Sequence, residues 1–398
     1  MESWGTMKLA RQALLIQQQQ QQQQQYAEEK QQQQQSEFIF CDTTGCAFTF
    51  LVVRLMCIST TTRILAYVHY PTISIDMMFW EWQKSNIDNN NNASIKKRIK
   101  TVIKLIYYYL FSLMYGLCGS LADLVLVNST WTYNHINSLW RFDGCGIFPI
   151  QTRQQPICIV YPPCRVPSTV DDDNNNNNNK QQLGPGSGPP RENTIISIGQ
   201  FRPEKNHKLQ IRALFMLLKN HPELRKTTTK SATTMTDRVQ LLLIGSCRND
   251  ADQGRVDDLR RLVEELNLQD YVVFSINPPY QELQASMMKA SFGIHTMRQE
   301  HFGIGIVEMM AAGLLVIAHD SGGPKTDIIQ VDDPKNKIAG TGFLATTQEE
   351  YAEAIYKALT MDKKNSQDMR RRAQASATRF SDDAFDKSFE QVLPLLYS

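Results

Sequence analysis

Arg298-Gln-Glu-His-Phe-Gly-Ile-Gly-Ile-Val-Glu-Met-Met-Ala-Ala-Gly313, followed by Leu315–Ala318 and Ser321-Gly-Gly-Pro324, decides the fold. In order it reads as a loop, an apolar helix, a buried strand and a glycine turn. Glu300 and Glu308 stand eight residues apart around the Phe302-Gly303 turn. One carboxylate precedes the helix and one lies inside it, so they face different parts of one ligand. Carboxylates accept hydrogen bonds from hydroxyls, which suits sugar and ribose rings. The helix start beside Ile304 offers unpaired backbone N–H groups and a positive dipole end to an anion. Two glutamates alone could be solvated charges flanking a core helix. Phe302-Gly303 and the later Gly322-Gly323 argue for a built loop instead.

Working outward, strand-like and helix-like runs alternate. Thr194–Ile198, Val239–Ile244, Tyr271–Phe274, Phe292–His295 and Leu315–Ala318 are short apolar runs. Between them Ile211, Leu214, Phe215 and Leu218, then Leu259, Leu262, Val263 and Leu266, recur at helical spacing. Such alternation predicts right-handed crossovers and a parallel, doubly wound sheet. Ligands on these sheets sit at the carboxyl ends of the strands. The loops after Ile198, at Gly245-Ser246 and around Glu300 should therefore share one rim.

The first of these loops is Gly199-Gln-Phe-Arg-Pro-Glu-Lys-Asn-His207. Its two cations, Arg202 and Lys205, stand three residues apart. Together the two segments resemble the nucleotide-sugar domain of retaining glycosyltransferases of the GT-B type. That family pairs a Glu, seven residues, Glu signature with a Gly-x-Phe/Leu-x-x-x-Lys turn.

Composition bounds the rest. The 398 residues allow two ordinary domains, and the net charge of +2 leaves no nucleic-acid footprint. The eight cysteines (Cys41, Cys46, Cys57, Cys118, Cys145, Cys158, Cys164 and Cys247) form no Cys-x-x-Cys pair. This pattern fits reduced thiols in a cytosol-facing protein better than a zinc site or a disulfide framework. Gln17–Gln25, Gln31–Gln35, Asn89–Asn92 and Asp171–Asn179 are low-complexity tracts that bury little apolar surface. No signal peptide is expected in Met1–Ile16.

In the first half, Phe38–Phe40, Arg63–Val68, Leu124–Asn128 and Cys158–Tyr161 read as strands. His69 ends one of them and is placed to face a cleft between domains. Asn128-Ser-Thr and Asn92-Ala-Ser match glycosylation sequons, but Asn128 ends a strand expected to be buried. A basic run with Lys96, Lys97, Arg98, Lys100 and Lys104 leads into residues 105–122, eighteen positions without a charge. That length is at the lower limit for a membrane span. The tyrosines, glycines and serines within it instead predict a helix that is partly core and partly membrane-facing, its basic start favouring anionic headgroups.

Tyr67-Val-His-Tyr-Pro-Thr-Ile-Ser74, Val127-Asn-Ser-Thr-Trp-Thr132 with His135-Ile136, and Val160-Tyr-Pro-Pro-Cys164 narrow the resemblance. Over roughly residues 36–166 and 192–397 the chain is similar to the α-1,2-mannosyltransferases that build the lipid-linked oligosaccharide on the endoplasmic reticulum. The resemblance implies GDP-mannose as donor, Man3GlcNAc2-diphosphate-dolichol as first acceptor, two successive α-1,2 additions and no required metal or cofactor. It implies an endoplasmic reticulum membrane location on the cytosolic face, with other mannosyltransferases of the pathway as partners. It places the diphosphate at Arg202 and Lys205, the mannose at Glu300, the ribose at Glu308 and the transferred sugar near His69. Gly199, Gly245, Phe302, Gly303 and Ile304 complete the donor site.

The implied layout is an α/β protein of two Rossmann-like domains. A disordered segment 1–35 precedes an N-terminal domain 36–167, a linker 168–191 and a nucleotide-sugar domain 192–380. A C-terminal helix in 381–398 crosses back to the first domain. Family members carry a membrane anchor, a strand and a glycine-rich loop ahead of this point. Met1–Gln35 matches none of them, so the N-terminal domain is expected to be incomplete. Two other readings fit the donor motifs: a related glycosyltransferase with another nucleotide sugar, and a catalytically impaired donor-binding remnant or partner subunit of a mannosyltransferase complex.

Overall fold

The computed structural model describes residues 38–57, 62–73, 95–140, 155–166, 191–225, 238–333 and 339–397. The expected disordered segment, the Asn89–Asn92 tract and all of the expected linker but residue 191 lie outside them.

The first sheet is built from β1 (Phe38–Asp42), β2 (Thr62–Val68), β3 (Leu124–Val127) and β4 (Ile157–Ile159), in that spatial order and all parallel. Helices α1 (Phe48–Met56), α2 (Ile95–Gly119) and α3 (Thr130–Trp140) make the crossovers within it. Strand β3 shows why the sheet needs two covered faces. Val125 and Val127 point into a core with Phe50, Tyr115, Ile136 and Trp140, while Leu124 and Leu126 point to the opposite side. Arg54 on α1 ties the lower edge together. Its guanidinium donates to the Thr62 carbonyl at 2.6 Å and to Asp123 Oδ2 at 2.6 Å, and Asp123 in turn accepts the Ile64 amide at 2.7 Å.

The second sheet holds β5 (Glu192–Ile198), β6 (Gln240–Gly245), β7 (Val272–Ile276), β8 (Ala290–Ile294), β9 (Leu315–His319) and β10 (Phe343–Ala345). Its order is β10-β9-β8-β5-β6-β7, again parallel throughout. Helices α4 (His207–Asn220), α5 (Asp250–Glu265), α6 (Tyr280–Lys289), α7 (Ile304–Ala311), α8 (Gln348–Thr360) and α9 (Lys363–Ala377) accompany it. Alternate strand residues feed two cores. Ile195, Leu241, Phe292 and Ile317 pack with α4, α5 and α8, whereas Ile196, Ile244, Val316 and Ala318 pack with α7 and α9. The chain winds outward from β5 through β6 and β7, then returns to place β8 on the other side of β5. Loops leaving β5 and β8 thus diverge and open a crevice at their carboxyl ends, the place where such sheets bind ligands.

Helix α10 (Asp382–Val392) and the turn Leu393–Tyr397 leave the second domain. Phe385, Phe389, Val392 and Leu396 pack against Leu65, Tyr67, Leu124 and Leu126, the outer face of the first sheet. The expected apolar helix over 105–122 is longer at its start and shorter at its end. It takes in the basic run from Ile95 and stops at Gly119, where the chain turns through Ser120–Ala122. Strand β10, three residues long, carried no readable signal.

Gly245 closes β6 against the neighbouring loop. A Cβ there would lie 1.8 Å from the Gly199 carbonyl oxygen, which is backbone and cannot move aside cheaply. Gly245→Ala should therefore lower stability by about 1–3 kcal/mol, the usual range for overpacking. Thermal denaturation followed by circular dichroism checks this; an unchanged midpoint would contradict the close approach.

Candidate active site

The site grows from the two loops at the β5/β8 crevice. After β5 the Gly199 amide donates to the Ile244 carbonyl at 3.0 Å, which holds the loop against β6. Pro203–Lys205 forms one tight turn, and Asn206 takes the left-handed conformation (φ 50°) before α4 begins at His207. The Lys205 chain lies along Gly199, its Cγ at ordinary contact distance from where a Cβ would stand. Its ammonium reaches across to Glu300 Oε2 at 2.6 Å. The root of the lysine is fixed as well: the Thr296 hydroxyl donates to the Lys205 carbonyl at 2.8 Å and accepts from Gln210 Nε2 at 2.9 Å. Burial pushes His207 down to about 4, with Lys205 and His295 adding to the effect.

Glu300 has a second partner on the same oxygen. His295, just past β8, donates from Nε2 to Glu300 Oε2 at 3.0 Å. Its main chain is pinned by the Ile317 carbonyl, which accepts the His295 amide, and by the Tyr351 hydroxyl, which donates to the His295 carbonyl at 2.8 Å. Burial alone would raise the Glu300 carboxyl. The hydrogen bond and charge of His295, and then the Lys205 ammonium, outweigh it and hold the group far below the ordinary carboxylate range.

The backbone of this loop is set by the glycine turn after β9. Gly322 has φ 63°, and a Cβ there would meet the Glu300 carbonyl oxygen at 2.3 Å. The Gly323 amide donates to that same carbonyl at 2.8 Å. Ser321 Oγ accepts the Gln299 amide at 2.9 Å, holding Gln299 at φ 54°. Phe302 anchors the far end, its ring buried between Tyr161 and Phe380. Gly303 (φ 114°) starts α7, and the first α7 amides, at Ile304 and Gly305, have no partner within the helix.

Several expected site residues stand further out. Arg202 is half-exposed and pairs with Glu204 at 3.6 Å. Glu308, inside α7, is partly buried; burial raises its carboxyl, and Arg165 opposes that. Among the described residues neither shares a hydrogen bond with the Lys205–Glu300 pair. His69 comes from the other domain, exposed just past β2, with its ring 4.4 Å from that of Tyr67 and its carbonyl accepting Asn128 Nδ2 at 3.0 Å. The next residue, Tyr70, packs its ring 4.2 Å from His301, so the His69 turn meets the Glu300 loop.

His295, Gln299, His301, Trp131, Tyr161 and Asp327 were not singled out from sequence. The Trp131 indole donates to Gln299 Oε1 at 2.8 Å, and its ring lies 4.8 Å from His301. Among the described residues no group of three or more His, Cys, Asp or Glu side chains is placed to hold a metal ion.

Two family models match the chain. Residues 8–140 match "ALG11 mannosyltransferase N-terminus" and residues 179–376 match "Glycosyl transferases group 1". Curated relatives carry the name GDP-Man:Man(3)GlcNAc(2)-PP-Dol alpha-1,2-mannosyltransferase. The one from Homo sapiens is 42% identical over 360 residues, covering 90% of this chain and 65% of that protein. The one from Dictyostelium discoideum is 42% identical over 361 residues, covering 90% and 64%. The one from Caenorhabditis elegans is 35% identical over 359 residues, covering 89% and 68%. The chain thus spans about two thirds of the length of these relatives. Among solved structures, an α,α-trehalose 6-phosphate synthase from Burkholderia multivorans superposes with a TM-score of 0.60 at 12% identity, covering 91% of this chain and 70% of that one. The OtsA apo structure superposes with a TM-score of 0.62 at 12% identity, covering 91% and 73%. The fold is accordingly the two-domain GT-B fold.

The Glu300 geometry makes a pH prediction. Its folded-state pKa lies below the unfolded value of about 4.3. A depressed carboxylate contributes stability above the unfolded value and loses that contribution as pH falls below it. Wild type should therefore exceed Glu300→Gln in stability at pH 7, by a margin that holds to about pH 5 and shrinks below it. Urea unfolding of both proteins from pH 7 to pH 3 measures this; a margin that grows on acidification would contradict the pairing.

Proposed function

The chain belongs to the GDP-Man:Man(3)GlcNAc(2)-PP-Dol α-1,2-mannosyltransferase family, and on that premise we propose that it moves mannose from GDP-mannose to a dolichol-linked oligosaccharide. The acceptor is Man3GlcNAc2-diphosphate-dolichol and then its Man4 product. The observation that carries this reading is the 2.6 Å contact of Lys205 Nζ with Glu300 Oε2 at the β5/β8 crevice. It puts a cation suited to a diphosphate and a carboxylate suited to sugar hydroxyls within one contact, so a single nucleotide sugar spans both.

In the proposed reaction the bond between the anomeric carbon and the diphosphate oxygen breaks and a bond to an acceptor hydroxyl oxygen forms. GDP leaves, and the acceptor proton passes to the departing phosphate on the same face, which retains the anomeric configuration. Lys205 and the more exposed Arg202 neutralise the charge that builds on the diphosphate, without a required metal. The amides at Ile304 and Gly305 add to this from the α7 start. Glu300, kept ionised and held by His295, binds the mannose hydroxyls. Glu308 holds the ribose, and His69 approaches the sugar from the opposite domain.

The acceptor is a lipid, and the first domain offers a surface for its membrane. Ile99, Ile103, Ile106 and Leu110 on α2, with Leu55 and Met56 on α1, are exposed. The Ile99–Gly119 run is long and apolar enough to cross a membrane, yet Tyr115 and Cys118 are buried in the first domain's core. We read α2 as lying on the endoplasmic reticulum membrane at its cytosolic face, with Lys100 and Lys104 near the headgroups. Flotation with anionic liposomes should be efficient at low salt and weaker at high salt. Absence of flotation at low salt would remove the membrane-surface reading.

The donor roles separate in kinetics. Glu300→Ala should lower kcat by about a hundredfold with little change in the KM for GDP-mannose, since sugar contacts strengthen as charge develops at the anomeric carbon. Glu308→Ala should mainly raise that KM, since ribose contacts are alike in ground and transition states. Initial rates of transfer to a lipid-linked Man3GlcNAc2 acceptor give both constants; equal effects of the two substitutions on both would contradict the assignment.

A further inference from the structure

One buried carboxylate links the two domains beside the site. Asp327 lies in a single wide helical turn, Pro324–Ile328, directly after the glycine turn that shapes the Glu300 loop. It is 5% exposed. Its oxygens accept the Thr130 amide at 3.1 and 3.2 Å, the Thr130 hydroxyl at 2.6 Å, the Tyr161 hydroxyl at 3.0 Å and the Thr326 hydroxyl at 2.7 Å. Thr130 is the first residue of α3, which belongs to the other domain. The local residue Ser129 caps a different amide, that of Thr132, at 3.1 Å. Asp327 therefore completes the cap of α3 from across the cleft, with its negative charge at the positive end of that helix. The Arg379 guanidinium donates to the Asp327 carbonyl and fixes the turn from behind.

What α3 touches gives this cap its consequence. Trp131, the next residue, donates to Gln299 and packs against His301, the two neighbours of Glu300. Asn128, just before the helix, donates to the His69 carbonyl at 3.0 Å and accepts the Thr132 hydroxyl at 2.6 Å. The start of α3 thus holds the His69 turn with one hand and the Glu300 loop with the other.

We infer that Asp327 is a positioning residue for glycosyl transfer: by capping α3 across the cleft it keeps the His69 turn and the Glu300 loop in one register. This rests on the transferase reading. Asp327 itself touches neither the Lys205–Glu300 pair nor His69, so it acts through α3. An asparagine in its place keeps the volume but removes the charge, and whichever oxygen its NH2 group replaces, that donor then faces the Thr130 amide, itself a donor.

The test uses the full chain and Asp327→Asn. Hydrogen exchange should show lost protection in two segments, residues 128–135 and 299–302, with β5 and β6 unchanged. GDP affinity by calorimetry should stay within about twofold, because Lys205 and the second sheet are untouched, while kcat for mannose transfer falls about tenfold or more. Thr130→Val, which removes one donor and keeps the helix amide, should lose less. Combined with Asp327→Asn it should cost nothing further, as expected of two residues in one interaction. Unchanged kcat, or lost protection confined to α3, would overturn the inference. So would weakened GDP binding with exchange raised across the whole second sheet, since that is a general structural defect. Should Asp327→Asn not fold, Thr130→Val carries the same two-segment exchange test. A wild type that binds GDP but transfers no mannose would sink the transferase reading, and the exchange data would still judge the cap.

Discussion

The contact between Lys205 and Glu300 is the constraint on which the rest of the structure depends. A lysine and a glutamate 95 positions apart in sequence meet at 2.6 Å because β5 and β8 are neighbours at the point where the strand order reverses. Each is supported by structure that has no other evident purpose. Thr296 and Gln210 hold the root of the lysine. His295 and the Gly322-Gly323 turn hold the glutamate. Burying a carboxylate is costly unless it is paired and hydrogen-bonded. Here two donors on one oxygen meet that cost and leave an ionised group facing the crevice.

The second layer of constraint is between domains. Asp327, Trp131 and Gln299 link α3 to the Glu300 loop, and α10 returns from the second domain to cover the first sheet. A polar latch and an apolar strap are complementary. The latch is directional and sets register near the chemistry, whereas the strap, built on Phe385, Phe389 and Leu396, buries area without fixing angle. Relative motion of two domains is the ordinary expectation where an interface is small. In this chain the residues that would feel such motion first are those beside Glu300.

Much of this was legible in the sequence because the signals were periodic or conformational. The runs Thr194–Ile198 and Leu315–Ala318 are strands because apolar residues with no polar alternation need two covered faces. Gly322-Gly323 was readable as a turn, and Lys205 and Glu300 were singled out by the motifs that their loops carry. Asp327, His295 and Trp131 were not legible. Their roles arise from who faces them across the cleft, and partners at a separation such as that of Thr130 and Asp327 leave no local pattern. Phe302 shows the opposite limit. It was read as part of the donor site by its place in the motif, and the structure places its ring in the core between Tyr161 and Phe380.

A double-mutant cycle on mannose transfer tests the central claim most directly, using Lys205→Met, Glu300→Gln and the pair. If the two side chains act as one unit on one donor, either substitution alone should cost nearly as much in kcat/KM as both together, with a coupling of about 1–3 kcal/mol. Losses that simply multiply would contradict it, since that result belongs to two residues acting at separate places.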